Sequence, residues 1–352
     1  MSTKPETLES HGTDQLTGSL SGIGVDAAPL FEEHALPLLI EPRDKSLTLS
    51  EWSIEGKQLV NDLLLQHGAL LFRNFTVDCI AAFETIVTNL SDSERLPYID
   101  RSTPRVARAD RIYTATTYPA KHPINLHNEG TYWREWPRKL FFYCQRRAET
   151  RGETPIANVG NVLNRLEEHT IQEFSRRQVM YVRNYRPGMG LPWQEVFQTD
   201  SREALEEYLN ENEILYSWKV GGCLQTSQVR PAIRIHPQSG MPVWFNHAAF
   251  FNVHALEPDV KKVLTGSFAI NDLPYNTYYG DGETIDPEVV DQILDAYRAE
   301  KVKISWQPGD VMVLDNMAVA HGREPYTGDR EVLVAMTEPY KEPELELEVI
   351  QA

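Results

Sequence analysis

Short unbroken apolar runs recur along a chain that is otherwise polar every few residues. Ala69-Leu70-Leu71-Phe72 and Lys139-Leu140-Phe141-Phe142-Tyr143-Cys144 are strand-length and read as buried or central strands. So do Val311-Met312-Val313-Leu314 and Val332-Leu333-Val334-Ala335-Met336. Further strands are predicted at 34–40, 154–158, 229–235, 242–246 and 303–306, and Gln307-Pro308-Gly309-Asp310 turns the last of these into the run at 311. A helix is predicted from an N-cap at Ser50, with Glu51 in its first turn, to about residue 66, where Gly68 stops it. A second follows over 80–90. From about 159 to 215 the pattern turns helical and polar and reads as an insertion between two halves of a sheet. Residues 257–267 and 286–299 read as helices, Pro287 suiting a first turn, with an aromatic-rich loop at 275–282 between them.

Many short strands, scattered helices and regular turn signals predict a mainly β chain with helical insertions, a double-sheet jelly roll. Residues 1–30 lack apolar periodicity and read as a flexible tail; 31–345 read as one domain, with helical insertions near 159–215 and 257–300. The length of 352 residues permits a sizeable core. A formal charge of −17 argues against nucleic acid and anionic membrane surfaces as partners. Cys79, Cys144 and Cys223 are odd in number and far apart, fitting neither a zinc pattern nor a disulfide framework. With no leader-like N-terminus and no apolar run of membrane-spanning length, a cytoplasmic location is expected.

The candidate chemistry lies at Leu126-His127-Asn128-Glu129-Gly130 and, far along the chain, at Ala320-His321-Gly322-Arg323. On a strand, residues i and i+2 share a face, so His127 and Glu129 are expected to point at one metal. With His321 they make two imidazoles and a carboxylate, the set that leaves one face of Fe(II) open for oxygen chemistry. If the co-substrate is 2-oxoglutarate, its far carboxylate needs a permanently charged partner, and Arg suits it. Arg330 follows His321 across a predicted hairpin at 324–329, expected to return it beside His321 on the neighbouring strand. Thr154 is a candidate second donor.

Several ordered blocks carry a family resemblance: Ile112-Tyr113-Thr114-Ala115-Thr116-Thr117-Tyr118-Pro119, Leu126-His127-Asn128-Glu129, Gly152-Glu153-Thr154-Pro155, Trp244-Phe245-Asn246, and Trp306 through Gly309-Asp310, Leu314-Asp315-Asn316 and His321-Gly322-Arg323. Over roughly residues 35–340 the chain resembles the taurine dioxygenase (TauD/TfdA) superfamily, and within it the SyrP-like and clavaminate synthase-like branch. The resemblance implies a double-stranded β-helix, with His127, Glu129 and His321 on iron and Thr154 and Arg330 on 2-oxoglutarate. It implies O₂-dependent decarboxylation of 2-oxoglutarate to succinate and CO₂, coupled to oxidation of a C–H bond. Taurine dioxygenase has Asp where Glu129 stands, but Glu is usual in this branch. The related halogenases have a small residue there, so Glu129 argues against halogenation.

For the substrate, the candidates are Asn246, Arg323, Asn128, Tyr113, Arg111 and Asn125. The arginines favour a small, amino-acid-derived molecule, free or tethered to an acyl or peptidyl carrier protein. Loops near 101–111, 185–195 and 275–282 are the expected lids. Desaturation or oxidative cyclisation would use the same cofactors. A non-catalytic binding protein on the same fold, and a metal-dependent isomerase or lyase with no need of Arg330, are the competing classes.

Overall fold

The structure, a computed structural model, describes residues 24–101, 105–116, 118–188 and 190–342. Among these the strands form an eight-stranded sheet, two four-stranded sheets and two two-stranded ribbons. The large sheet runs in the order Val25–Phe31, His34–Pro42, Ala69–Phe72, Val311–Asp315, Glu135–Arg146, Glu331–Lys341, Ile112–Thr114, Ala107–Ala109. Its four apolar runs are buried on both faces. Leu70, Phe72, Phe141, Tyr143, Val311, Val313, Leu333 and Ala335 pack under the helices Leu49–His67 and Ile80–Leu90. The alternate residues, among them Leu71, Phe142, Met312, Leu314 and Val334, turn inward against Ile156, Val302, Ile304 and Val319. Continuous hydrophobicity in place of alternation follows from that double burial.

The inner partner is a four-stranded sheet ordered Val302–Ile304, Thr154–Asn158, Val319–Arg323, Ile124–His127. Together the two sheets make the jelly roll. Bidentate bonds from Arg73 Nε and Nη2 to Asp310, 3.0 and 2.6 Å, pin the Gln307–Asp310 turn to the end of the strand Ala69–Phe72.

Several expectations need correction. Residues 25–31 are strand, not tail; 1–23 lie outside the described residues, as do 343–352. The first helix is capped by Thr48, not Ser50: Thr48 and Glu51 form a reciprocal capping box. The inserted region is not all helix. Val179–Tyr185 is a strand, and Tyr275–Tyr279, read as a loop, pairs with it in a third sheet ordered Leu215–Lys219, Cys223–Arg230, Val179–Tyr185, Tyr275–Tyr279. Its β-branched and aromatic residues supply strand propensity that the polar helices on either side masked. Among the described residues, no helix is long and apolar enough to cross a membrane.

Candidate active site

His321 lies directly opposite His127 in the antiparallel pairing of their strands, which brings together residues far apart in sequence. The pairing slips by one residue between His321 and Arg323, the extra residue falling on the His127 strand. Gly322 makes the approach possible: a Cβ there would sit 2.6 Å from the Ile124 carbonyl oxygen. The strand ends at His127, so alternation is not what aims Glu129. Asn316 does that instead. Its Oδ1 accepts from the Glu129 N–H (2.8 Å), and its Nδ2 donates to the carbonyls of Glu129 (2.8 Å) and Pro137 (2.7 Å).

One ligand atom from each of His127, Glu129 and His321 falls within 4.8 Å of the others, the sole such cluster of metal-binding side chains among the described residues. His127 Nδ1 lies 2.9 Å from the Asn125 carbonyl; a carbonyl only accepts, so Nδ1 carries the proton and Nε2 is left as a donor to metal. Its ring stacks on Phe250, centroids 4.4 Å apart, and the His321 ring packs on Phe142 at 5.0 Å. Burial lowers the pKa of both imidazoles, that of His321 well below the usual range, which keeps them neutral as coordination requires. His321 Nδ1 is buried with no hydrogen-bond partner among the described residues. Two neutral imidazoles and a carboxylate are a donor set that fits Fe(II).

Arg330 is not on a strand adjacent to His321. His321 belongs to the inner sheet, and Arg330 immediately precedes Glu331–Lys341 of the large sheet. The two side chains nevertheless line the same pocket, with Thr154, His127 and Arg105. Arg330 Nε donates to the Gly152 carbonyl (2.9 Å) and Nη2 to Thr154 Oγ1 (3.4 Å), which also accepts from Trp306 Nε1 (2.9 Å). Burial, and then the nearby Arg323, push the Arg330 guanidinium down to about 10. Its hydrogen bonds go to a carbonyl and a hydroxyl, neither of them charged, and 2-oxoglutarate's far carboxylate would supply an anion.

The substrate candidates divide by position. Asn246, Asn125 and Arg323 line a neighbouring cavity of about 430 Å³ that shares Ile124, Phe250 and Arg323 with the metal-facing pocket. The Asn246 side chain is occupied by backbone, donating to Ala232 (2.8 Å) and accepting from Ala248 (2.8 Å). Arg323 donates to the carbonyls of Tyr118, Pro119 and His122, each at 2.7 Å, and so fastens that loop. Asn128 is buried and donates to the Asn316 carbonyl (2.7 Å). Tyr113 accepts from the Tyr98 N–H (3.3 Å), and Arg111 turns away to Glu94 (3.2 Å), outside both cavities.

Sequence reasoning passed over three residues here. Asn316 closes the Leu314-Asp315-Asn316 stretch, where sequence assigned it no role. His247 packs edge-on to His127 and donates from Nε2 to the Asn128 carbonyl (2.7 Å); burial and then His127 lower its pKa to about 3. Arg105 falls in the 101–111 stretch expected as a lid, with no ligand assigned to it. Its Nη2 lies 2.5 Å from Glu129 Oε2, and its guanidinium sits over the Tyr98 ring at 4.1 Å.

Residues 33–337 match the family described as taurine catabolism dioxygenase TauD, TfdA family. The dapdiamide synthesis protein DdaC of Enterobacter agglomerans is 39% identical over 280 residues, covering 80% of this chain and 85% of that protein. A clavaminate synthase-like protein of Arabidopsis thaliana is 28% identical over 326 residues, 87% and 94% of the two chains. Among solved structures, PvcB of Pseudomonas aeruginosa shares the fold at 16% identity and TM-score 0.52, over 89% and 91% of the chains. The chain belongs to the TauD/TfdA family of Fe(II)- and 2-oxoglutarate-dependent dioxygenases.

Proposed function

We propose that the chain hydroxylates an unactivated C–H bond of a small, amino-acid-derived metabolite, with release of succinate and CO₂. His127, Glu129 and His321 hold Fe(II), and Thr154 and Arg330 hold the far carboxylate of 2-oxoglutarate. Once bound, iron and 2-oxoglutarate supply the family's O₂-dependent oxidation. The chain's own contribution is placement. Asn316 fixes the direction of Glu129, Phe250 and Phe142 wall the imidazoles from water, and Arg330 orients the co-substrate. The observation that carries this reading is one pocket lined by both imidazoles, His127 and His321, and by Arg330, with a Glu129 oxygen within 4.8 Å of the imidazole nitrogens.

The larger cavity supports an anionic or zwitterionic substrate. Lys121, Arg151, Arg298, Lys301 and Arg323 line it against Glu257 and Glu324. The likeness to DdaC, named for dapdiamide synthesis, supports a role in making a specialised metabolite. The substrate is free or borne on a carrier protein, and three free cysteines suit a cytoplasmic setting. Desaturation and cyclisation remain within reach of the same groups. Anaerobic addition of Fe(II) and 2-oxoglutarate is expected to give a weak visible charge-transfer band. A wild-type protein that binds iron yet gives no band would return the chain to the binding-protein or isomerase classes.

A further inference from the structure

Arg323 and Arg330 have tasks, in the 118–122 loop and the co-substrate pocket. Arg105 is given no ligand by that reading, although its side chain is only 5% exposed and lines the metal-facing pocket beside His127 and His321. One of its nitrogens donates to Glu129. The other two, Nε and Nη1, are buried and meet no acceptor among the described residues. A buried guanidinium with idle N–H groups is costly to keep, so an acceptor is expected to arrive. Tyr98, under the ring plane, holds the fork in place before any ligand comes.

Charge points the same way, granted the function proposed above. With Fe(II), Glu129, 2-oxoglutarate and Arg330 present, the formal charges cancel. Glu129 is then neutralised by the metal, and Arg105 remains as an uncompensated positive charge at the metal's edge. We propose that Arg105 binds a carboxylate of the primary substrate and so decides which C–H bond faces the iron. A guanidinium fork matches a planar carboxylate better than it matches an amide or an ammonium.

The test uses acetate as the minimal carboxylate, with Mn(II) in place of iron and N-oxalylglycine in place of 2-oxoglutarate. Mn(II)-induced relaxation of the acetate methyl protons reports binding near the metal without turnover. The full chain is expected to show saturable relaxation that acetamide and methylammonium do not reproduce. Arg105→Gln should weaken acetate at least tenfold while still binding Mn(II) and N-oxalylglycine. Arg105→Lys should fall between, and Arg108→Gln, which alters an exposed neighbour, should match wild type. If Arg105→Gln does not fold, the contrast between the Lys variant and wild type decides. Undiminished acetate relaxation in the variants overturns the inference, as does loss of N-oxalylglycine binding in its place, which would assign Arg105 to the co-substrate. A wild type that binds neither Mn(II) nor N-oxalylglycine overturns the proposed function, and this inference with it.

Discussion

Asn316 does for Glu129 what a neighbouring strand would do, matching both its N–H and its C=O. Asn316→Ala leaves those groups and the Pro137 carbonyl unpaired in a buried place, at about 1–3 kcal/mol for each unsatisfied group. Glu129 then loses its aim. Mn(II) affinity, followed by titration, is expected to fall at least tenfold, and the melting temperature should drop with it. With Arg330 on the far carboxylate as proposed, Arg330→Ala removes that carboxylate's buried partner, an effect on the order of 2–5 kcal/mol. The apparent constant for 2-oxoglutarate should therefore rise roughly thirtyfold or more. An unchanged constant would mean that another cation holds the carboxylate. These residues differ in how legible they were. Arg330 could be proposed from sequence because an ionic co-substrate demands a permanent cation, although its place before a strand of the other sheet could not. Asn316 and Arg105 act through atoms that meet only in three dimensions, and nothing in their local sequence distinguishes them from a turn asparagine and a surface arginine.

At the scale of elements, the site depends on how closely two inner strands approach. The one-residue slip beside Gly322 sets His321 against His127, and there is no room for a side chain between Gly322 and the Ile124 carbonyl. Gly322→Ala must push the strands apart, because a backbone oxygen cannot rotate out of the way as a side chain can. The expected result is a protein that folds with a lower melting temperature, since overpacking costs on the order of 1–3 kcal/mol, and binds Mn(II) poorly because its imidazoles no longer converge. Normal Mn(II) affinity in that variant would show that the slip is not what positions the ligands. Patterning identified the four strands buried on both faces, since each is an uninterrupted apolar run. It missed Val179–Tyr185 and Tyr275–Tyr279, where Arg183, Asn184 and Asn276 are buried within the strands. Arg183 is matched by Asp100 at 2.5 Å and Asn184 by the Leu273 carbonyl at 2.7 Å. Buried polar residues satisfied by distant partners look like surface residues in a sequence.

For the whole molecule, the jelly roll was legible as a class while its order was not. No local signal places Val311–Asp315 between Ala69–Phe72 and Glu135–Arg146, because sheet order is decided by long-range pairing. That interleaving has a consequence for stability. His127 comes from the first half of the chain, and His321 and Arg330 from its end, so a ligand gripping all of them ties together segments that separate on unfolding. A metal and co-substrate analogue that bind the folded chain stabilise it by mass action, about 2.7 kcal/mol for a ligand at a hundred times its dissociation constant. Saturating Mn(II) with N-oxalylglycine should accordingly raise the melting temperature by roughly 5 °C or more. His127→Ala should abolish the Mn(II) increment, since the site then keeps only one imidazole. Arg330→Ala should keep that increment and lose the one due to N-oxalylglycine. On the proposed assignment the two increments are separable, because His127 and His321 lie on the inner strands and Arg330 at the start of Glu331–Lys341 in the large sheet. A rise that survived both substitutions would put the ligands elsewhere on the molecule.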